Sequence, residues 1–241
     1  MGNVSILLAG ELQRLRRYNI LTGGFVVSLL WVAALHFLQT EYVESLFTLL
    51  LFVDIATMPA ILVAVGLFYE RDEGSLRAML VTPIKHGEYI ATKIVATVFS
   101  SLITLVILYG YAHFVRGIDA NVLWLMIAVI LGSGFHTLLG LLLTYGTRDF
   151  TGMLMRFMVY ALVAMVPTLL EHAGVITHVI WRILLYLSPA RAVAMLFQAA
   201  VTEVALGDVI YSIVFLVVGG GILYRVALVG FASFAQKQGG V

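Results

Sequence analysis

Six long apolar runs constrain this chain more than any other feature of its sequence. They cover residues 20–38, 46–68, 94–115, 122–145, 153–170 and 209–229. Each is close to the ~20 residues that an α-helix needs to cross a bilayer, and runs of this length lack the alternation of barrel strands. Charged residues make up only 11% of the chain, against roughly 25% in soluble domains. The sequence therefore predicts an all-α membrane protein in which residues 1–241 form a single transmembrane domain.

The N-terminal residues 1–18 differ from these runs because apolar and basic positions are mixed. Leu8, Leu12 and Leu15 fall on one face of a helix, whereas the arginines lie largely elsewhere. Such a helix lies in the membrane interface, with its basic side toward anionic headgroups. We therefore expect residues 1–18 to form an amphipathic interfacial helix, and the alternative is a flexible basic tail.

The segment between the last two runs, residues 171–208, contains two shorter apolar pieces. Residues 175–187 and 192–201 are of about the length, 10–14 residues, that suits re-entrant or interfacial helices. Pro189 disfavours a continuous helix through the break. We expect a re-entrant helical hairpin that turns at Ser188 and Pro189 in the outer leaflet. The alternative is a seventh span, which would bury two arginines in lipid at ~2.5–3.5 kcal/mol each.

Lysine and arginine predict the orientation of the chain. With the N-terminus in the cytoplasm, the cytoplasmic side holds eleven of the 14 basic residues, in agreement with the positive-inside bias. These are Arg14, Arg16, Arg17, Arg71, Arg77, Lys85, Lys93, Arg148, Arg156, Arg225 and Lys237. The outer side then holds only Arg116, Arg182 and Arg191. We expect a multi-pass protein of the plasma membrane with both termini in the cytoplasm.

The most polar stretch of the chain, residues 69–93, lies between the second and third runs, and we call it the polar island. Asp72 and Glu73 are acids of the kind that suits the positive end of a helix dipole. Glu73 can pair with Arg77 four residues later on the same helix face. The pattern predicts a short cytoplasmic helix within residues 70–90.

This short helix is expected to have an exposed apolar face. Leu76, Met79 and Leu80 supply that face, and Thr82 and Pro83 are residue types typical of the N-cap and first position of the next helix. An apolar patch on a charged cytoplasmic helix is a surface that the groove of a partner can bind. The alternative is a solvated loop that only connects two spans.

Residues 70–83, ERDEGSLRAMLVTP, resemble the E-R-E-x-G-T-L-x-x-L-L-x-T-P stretch of ABC transporter permeases of the type-2 exporter class. Residues 87–89 and Lys93 are similar to the continuation of that stretch into the third span, and residues 187–189 resemble the L-x-P element of the family. This sequence departs from the pattern at Asp72, where Glu is commoner, at Ser75, where Thr is commoner, and at Arg77, where an acid is frequent. The six spans and the expected interfacial and re-entrant helices are also similar to that family.

The resemblance implies that this chain is the permease subunit of an ATP-driven exporter of amphipathic, drug-like, lipid or glycan substrates. Two such subunits, as copies or as related permeases, pair in the bilayer, and each couples to a separate ATP-binding subunit that holds ATP and Mg. The resemblance places the coupling contacts at Glu70, Arg71, Asp72, Glu73, Gly74, Ser75, Leu76, Arg77, Met79, Leu80 and Pro83. The chain itself has no G-x-x-x-x-G-K-[ST] loop, so we expect no cofactor in this chain and energy that arrives through contacts.

Two residues of the second span are candidates for the transport path. Asp54 is the only acid inside a predicted span, and a charge there costs ~2.5–3.5 kcal/mol on insertion scales. We therefore expect it to face a cavity or a partner, and the alternative is a packing role. Pro59 can kink the same span and free backbone carbonyls.

Two other functions are alternatives to transport by this subunit. The first is an intramembrane serine hydrolase, because Gly132-Ser133-Gly134 is followed by His136, although Leu131 stands where a rhomboid-type pattern has its first glycine. The second is an accessory membrane protein that does not transport. The chain has no cysteine, which excludes a thiol nucleophile, and a net charge of +1 without a basic aromatic stripe argues against nucleic acid as a partner.

Overall fold

A computed structural model describes residues 3–38, 43–80, 82 and 84–237. The described part is almost entirely helical and contains no strand. The helices are α1 (Asn3–Arg17), α2 (Ile20–Phe37), α3 (Val43–Asp72), α4 (Ser75–Leu80), α5 (His86–Arg116), α6 (Val122–Tyr145), α7 (Phe150–Tyr160), α8 (Val166–His172), α9 (Val179–Leu185), α10 (Pro189–Gln198) and α11 (Leu206–Lys237). A π-helical turn (Ala161–Met165) joins α7 to α8.

The described residues confirm the predicted all-helical fold, and six of these segments are long and apolar enough to cross a membrane, or seven if the pair α9 and α10 is itself one span. They are α2, α3, α5, α6, the combined segment Phe150–His172, and α11. Several helices continue beyond the apolar runs of the sequence: α3 extends to Asp72 and α5 begins at His86. A helix that leaves the bilayer keeps its hydrogen-bond ladder until a residue breaks it, so hydropathy alone underestimates its length.

The fourth span, α6, packs against α3, α5 and α11 and so lies at the centre of the bundle. Its closest approach to α3 is at Gly140, where a Cβ would lie 2.6 Å from the Cα and carbonyl oxygen of Ala60. At Gly132 a Cβ would lie 2.8 Å from a methyl carbon of Ile55. Small residues allow this approach, and dispersion contacts between close helices drive their association in lipid. Gly132 and Gly140 of the fourth span therefore serve packing.

Replacement of Gly140 by alanine is expected to lower the free energy of unfolding by ~1–3 kcal/mol, because the added methyl meets the Ala60 backbone. The control is Gly221→Ala in α11, where nothing lies within 4 Å of the added carbon. That variant should be neutral or stabilised by ~0.5–1 kcal/mol through the better helix propensity of alanine. Thermal unfolding in detergent measures both, and equal midpoints would contradict the close packing of α3 on α6.

The two ends of the bundle collect different parts of the chain. At the end that holds the polar island, which we call the island end, the Arg71 side chain donates a hydrogen bond to the carbonyl of Arg148. The loop between the fourth and fifth spans therefore lies beside the polar island. At the opposite end, which we call the loop end, the backbone N–H of Asn121 donates to the carbonyl of Ala200 at 2.8 Å. Loops that the sequence places on the same side of the membrane therefore lie close together in the structure.

The fifth span is not a regular α-helix. Its π-helical turn precedes Pro167, which lies near the start of α8 and has no N–H to donate to the carbonyl four residues earlier. The hydroxyl of Thr168 donates to the carbonyl of Ala164 within the turn at 2.8 Å. Single π-helical turns occur inside α-helices and are frequent at functional sites, so this part of the span is a place to look for one.

Helices α9 and α10 form a bent pair whose axes differ by 96°. Ser188 accepts the Arg191 amide at 3.4 Å as N-cap, and Pro189 opens α10, in line with the preferences at these positions. Arg191 therefore lies inside α10 rather than in the stretch between the two apolar pieces, residues 188–191. Its Nε donates to the carboxylate of Glu171 at 2.8 Å, and its guanidinium lies 3.8 Å from the ring centre of Tyr186.

Candidate functional site

The polar island begins as the last turn of α3 rather than as a new helix. This helix ends at Asp72, and Gly74 follows with φ of 72°, the left-handed conformation that commonly ends helices. Helix α4 starts at Ser75, whose hydroxyl donates to the carbonyl of Glu70 at 3.0 Å. The prediction that Asp72 and Glu73 open the short helix is therefore wrong, because a glycine rather than charge sets this boundary.

The start of the next helix also differs from the prediction. Helix α5 begins at His86, with Lys85 in the N-cap position. The hydroxyl of Thr82 donates to the carbonyl of Met79 at 2.8 Å and so closes α4 instead of capping α5. The expected N-cap role of Thr82 is wrong, and Pro83 lies outside the described residues.

Five polar side chains, three of them from the polar island and two from α1, meet in what we call the charge cluster: Glu11, Arg14, Glu70, Tyr89 and Lys93. The Lys93 ammonium donates to Glu11 at 2.6 Å and to Glu70 at 2.5 Å. Arg14 pairs with Glu11 at 2.8 Å and with Glu70 at 2.9 Å, and the Tyr89 hydroxyl donates to Glu70. The cluster thereby joins α1, the end of α3 and the start of α5.

Four of the five side chains of the charge cluster are buried, all but Arg14, and the charges balance one another. The side chain of Lys93 is 2% exposed and those of Glu70 and Glu11 are 2% and 5% exposed. Burial by itself would lower the pKa of the Arg14 guanidinium, but the carboxylates of Glu70 and Glu11 outweigh it and raise that pKa. Two acids therefore face two bases. Buried charges persist only with such pairing and hydrogen bonding, and the loss of one partner is costly.

The structure separates the predicted coupling residues into buried and accessible ones. Glu70 and Leu76 are buried, and Leu76 packs in a core cluster with residues of α5, α6 and α11. Asp72 and Glu73 are exposed. Residues with intermediate exposure are Arg71, Gly74, Ser75 and Met79. Arg77 and Leu80 lie in α4, but their side chains are outside the described part of the protein, as is Pro83.

A surface groove runs between α1 and α4 above the charge cluster, with a volume of about 220 Å³. Apolar side chains form most of its lining, and polar groups of the charge cluster lie at its base. The lining residues are Leu7, Arg14, Glu70, Ser75, Leu76, Ala78, Met79, Thr82, Ile84 and Tyr89. The island end therefore offers an apolar groove beside the exposed acids of the polar island.

Asp54 lies in the interior of the second span and is 2% exposed. The indole N–H of Trp31 in the first span donates to its carboxylate at 2.9 Å. Asp54 lines none of the cavities described in this article, so its hydrogen bond ties α2 to α3. Pro59 is also buried and lies within the continuous helix α3. In this conformation both residues have packing positions, and their part in a transport path stays a prediction.

A polar cavity of about 230 Å³ lies at the loop end, among α8, α9, α10 and the start of α11. Three internal contacts organise its lining. Arg191 bonds Glu171, the Tyr186 hydroxyl donates to Asp208 at 2.7 Å, and Gln198 lies 2.6 Å from His172. These contacts fasten the bent pair α9–α10 to the fifth and sixth spans.

The residues behind the hydrolase alternative are engaged in other contacts. The Ser133 hydroxyl donates to the carbonyl of Val129 at 2.6 Å. The ring nitrogens of His136 bond the carbonyl of Gly132 at 2.8 Å and the Tyr160 hydroxyl at 2.7 Å. Nucleophilic catalysis needs the hydroxyl bonded to the base, and these two side chains do not form that pair.

Known proteins are similar to this chain over almost its whole length. Residues 3–238 match the family described as the Fluoroquinolones export permease protein family. Curated proteins named fluoroquinolones export permease protein, from two strains of Mycobacterium tuberculosis, are each 24% identical to this chain over 233 residues. The matched region is 96% of this chain and 95% of each relative. No solved structure matches the chain.

Proposed function

Because this chain belongs to the Fluoroquinolones export permease protein family, we propose that it is the membrane-spanning subunit of an ATP-driven exporter. A separate ATP-binding subunit supplies the energy, and the cargo is an amphipathic, drug-like compound. The relatives are named for the export of fluoroquinolones, which supports a cargo of this chemical type. The chain acts as a transport subunit rather than as an enzyme, in keeping with its family.

The observation that carries this proposal is the attachment of the polar island to the membrane-spanning helices. A partner that binds α4 pulls on α3 directly, because only Glu73 and Gly74 separate the two helices. The charge cluster then passes the displacement to α1 and to α5 through buried ion pairs. A partner whose affinity differs between two conformations of this assembly shifts the equilibrium between them.

The contact surface combines two exposed residues of the predicted coupling set, Asp72 and Glu73, with Ala78, which was not in that set but is exposed on α4. Met79, which belongs to the set, lines the adjacent groove. An apolar groove flanked by charges is the arrangement that binds a helix or loop of a partner. Glu70 and Leu76 support this surface from inside rather than contact the partner.

The orientation and the finer roles of three elements follow from the same proposal. The island end faces the cytoplasm, and we place both termini on that side of the membrane. Helix α1 lies in the interface, since Leu15 is buried against the bundle while Arg16 and Arg17 are exposed. The bent pair α9–α10 is a re-entrant hairpin at the outer leaflet. Two permease subunits, identical or related, form the path, and two ATP-binding subunits drive it.

Affinity purification from native membranes in a mild detergent tests this proposal. We expect the tagged chain to retain a subunit with a G-x-x-x-x-G-K-[ST] loop, and the purified complex to hydrolyse ATP. Retention should not depend on the loop end of the protein. The cells should also express the genes that lie next to the gene of this chain. The proposal would be contradicted if the chain were purified from their membranes without a nucleotide-binding subunit.

A further inference from the structure

The largest cavity described in this protein lies beside the π-helical turn and has a volume of about 530 Å³. Residues of α6, the fifth span, the bent pair α9–α10 and α11 line it, and it is open on one side. Its lining residues are Phe135, Leu139, Tyr160, Val163, Ala164, Pro167, Ile176, Trp181, Leu184, Leu185, Leu187, Ser188, Pro189 and Leu223. Sites for drug-sized ligands have volumes of roughly 300–1,000 Å³ and mostly apolar walls with a few polar groups.

None of the described residues that line this cavity is charged. Three aromatic side chains, Phe135, Tyr160 and Trp181, contribute to its walls, and the rest of the lining is aliphatic apart from Ser188. A charged ligand would lose its hydration there without gaining a partner charge. An aromatic body, in contrast, gains from contact with the three rings. The walls therefore select for an uncharged ligand with aromatic groups.

The hydroxyl of Tyr160 supplies the first polar point of the cavity. His136 is fully buried in α6, and its Nδ1 lies 2.8 Å from the carbonyl oxygen of Gly132. A carbonyl only accepts, so Nδ1 carries the hydrogen and Nε2 of the neutral ring accepts the Tyr160 hydroxyl at 2.7 Å. The donor of Tyr160 is thus used, and its oxygen retains lone pairs for a ligand.

The hydroxyl of Ser188 supplies the second polar point. It donates to the carbonyl of Ala164 in the π-helical turn at 3.3 Å and accepts the amide of Arg191 at 3.4 Å. Its donor is also used, so it offers the ligand an acceptor as well. Both polar points of an otherwise apolar cavity therefore accept hydrogen bonds, and they favour a ligand that carries an N–H or O–H donor.

Access to the cavity is from the side of the bundle. Val163 and Trp181 at its rim are 71% and 61% exposed. These rim positions belong to the fifth span and to α9, which among the described helices packs mainly against α8. A compound dissolved in the bilayer therefore reaches the cavity laterally, without passing through water.

From this geometry we infer that the cavity at the π-helical turn is a binding site for an uncharged aromatic amphiphile that carries one hydrogen-bond donor and is taken up from the membrane. Phe135, Tyr160 and Trp181 surround its rings, and Tyr160 or Ser188 accepts its donor. As a site for transported cargo, this inference rests on the proposed export function, whereas binding itself does not need the ATP-binding subunit.

Photolabelling of the full chain in lipid nanodiscs tests this inference. The probe is para-aminobenzophenone, which is uncharged, has two rings and one N–H donor group, and reacts under light with neighbouring C–H bonds. Mass spectrometry should find saturable labelling on α9 and on the residues around the π-helical turn. Excess para-aminodiphenylmethane, which does not photoreact, should suppress that labelling, while labelling elsewhere on the lipid-facing surface should be non-saturable.

The variant Val163→Trp should fill the cavity and reduce the saturable labelling by about tenfold or more. The matched control is Val159→Trp, one turn earlier in the same span, at a position that is 62% exposed and does not line the cavity. Its labelling should stay within about twofold of the unmodified chain. Equal loss in both variants, or labelling that never saturates, would overturn the inference.

The variant Tyr160→Phe separates a ligand contact from a structural role. It should weaken the binding of para-aminobenzophenone while leaving that of benzophenone, which lacks the donor, unchanged. Equal effects on both probes would refute the acceptor role of Tyr160. A phospholipid that copurifies with the protein and is lost only in Val163→Trp would show that the cavity binds lipid instead. A cross-link from this cavity to a second copy of the chain would show that it is an interface between copies. ATP-driven transport that persists after such a result would leave the proposed function standing.

Discussion

Replacement of Lys93 by methionine is expected to lower the free energy of unfolding by ~3–5 kcal/mol, because it leaves two buried carboxylates with Arg14 as their one remaining basic partner in the charge cluster. The Lys93 ammonium bonds both Glu11 and Glu70, and all three side chains are at most 5% exposed. Methionine fills nearly the same space, so the loss reflects charge rather than volume. The midpoint of thermal unfolding in detergent should fall by roughly 10 °C for a protein of this size.

Lys85→Met is the matched control for this prediction. Lys85 precedes the same helix but is exposed, so the identical substitution should change stability by less than ~0.5 kcal/mol. Further replacement of Glu11 by glutamine in the Lys93→Met protein should restore part of the loss, since one uncompensated charge is then removed. Similar midpoints for Lys93→Met and Lys85→Met would show that the charge cluster does not hold these helices together.

Introduction of an aspartate at Ala78 is expected to weaken the binding of the ATP-binding subunit by at least about tenfold, since it buries a carboxylate in the contact surface. Ala78 is exposed on α4 and lines the groove between α1 and α4, so the substitution leaves the packing of the protein intact. ATP-driven transport should fall in proportion to the bound partner. Co-purification yield and transport rate measure the two effects separately.

The control for this variant is Ala205→Asp at the loop end. Ala205 is also exposed, but it precedes α11 at the end of the bundle opposite the polar island. Both the partner yield and the transport rate should be unchanged by that substitution. Leu76 is unsuitable for the same test because it is 3% exposed, and an aspartate there would disrupt the core. If Ala205→Asp abolished partner binding and Ala78→Asp did not, the contact surface would lie at the loop end, which would contradict the proposal.

The sequence was sufficient to predict the helical fold and the six spans, because in lipid the backbone must satisfy its own hydrogen bonds. Helix boundaries were less predictable. Asp72 and Glu73 favoured a helix start on electrostatic grounds, which are worth only ~0.3–1 kcal/mol. Continuation of α3 and the left-handed turn at Gly74 decided the boundary instead. Gly74 was visible in the sequence, and its preference for helix ends was the signal that could have located the break.

The charge cluster could not be predicted from sequence spacing. Glu11 and Lys93 are 82 residues apart, and their contact depends on how α1 folds back on α5. The sequence identified Glu70 and Lys93 as part of a polar island but interpreted Glu70 as a surface contact, since acids beside water are usually exposed. A basic residue beside the start of an apolar run was the available hint that a buried partner was needed.

The π-helical turn and its cavity were also missed. The sequence places Pro167 in the fifth span, but a proline is compatible with a kink, a wide turn or a small local distortion of a helix. The hydrogen bonds that link Tyr160 to His136 and Ser188 to Ala164 join residues that are 24 apart in each case. Their geometry depends on the packing of the fifth span against α6 and α10, which no local pattern encodes.

Reconstitution in liposomes tests the central claim most directly: this chain is a permease that works only when an ATP-binding partner acts on its polar island. The measurement is the ATP-dependent movement of a fluorescent amphipathic dye, with the purified chain alone and with its copurified partner. We predict movement only when both proteins and Mg-ATP are present, and its loss in the Ala78→Asp variant. Transport by the chain alone, or full transport after that substitution, would contradict the account.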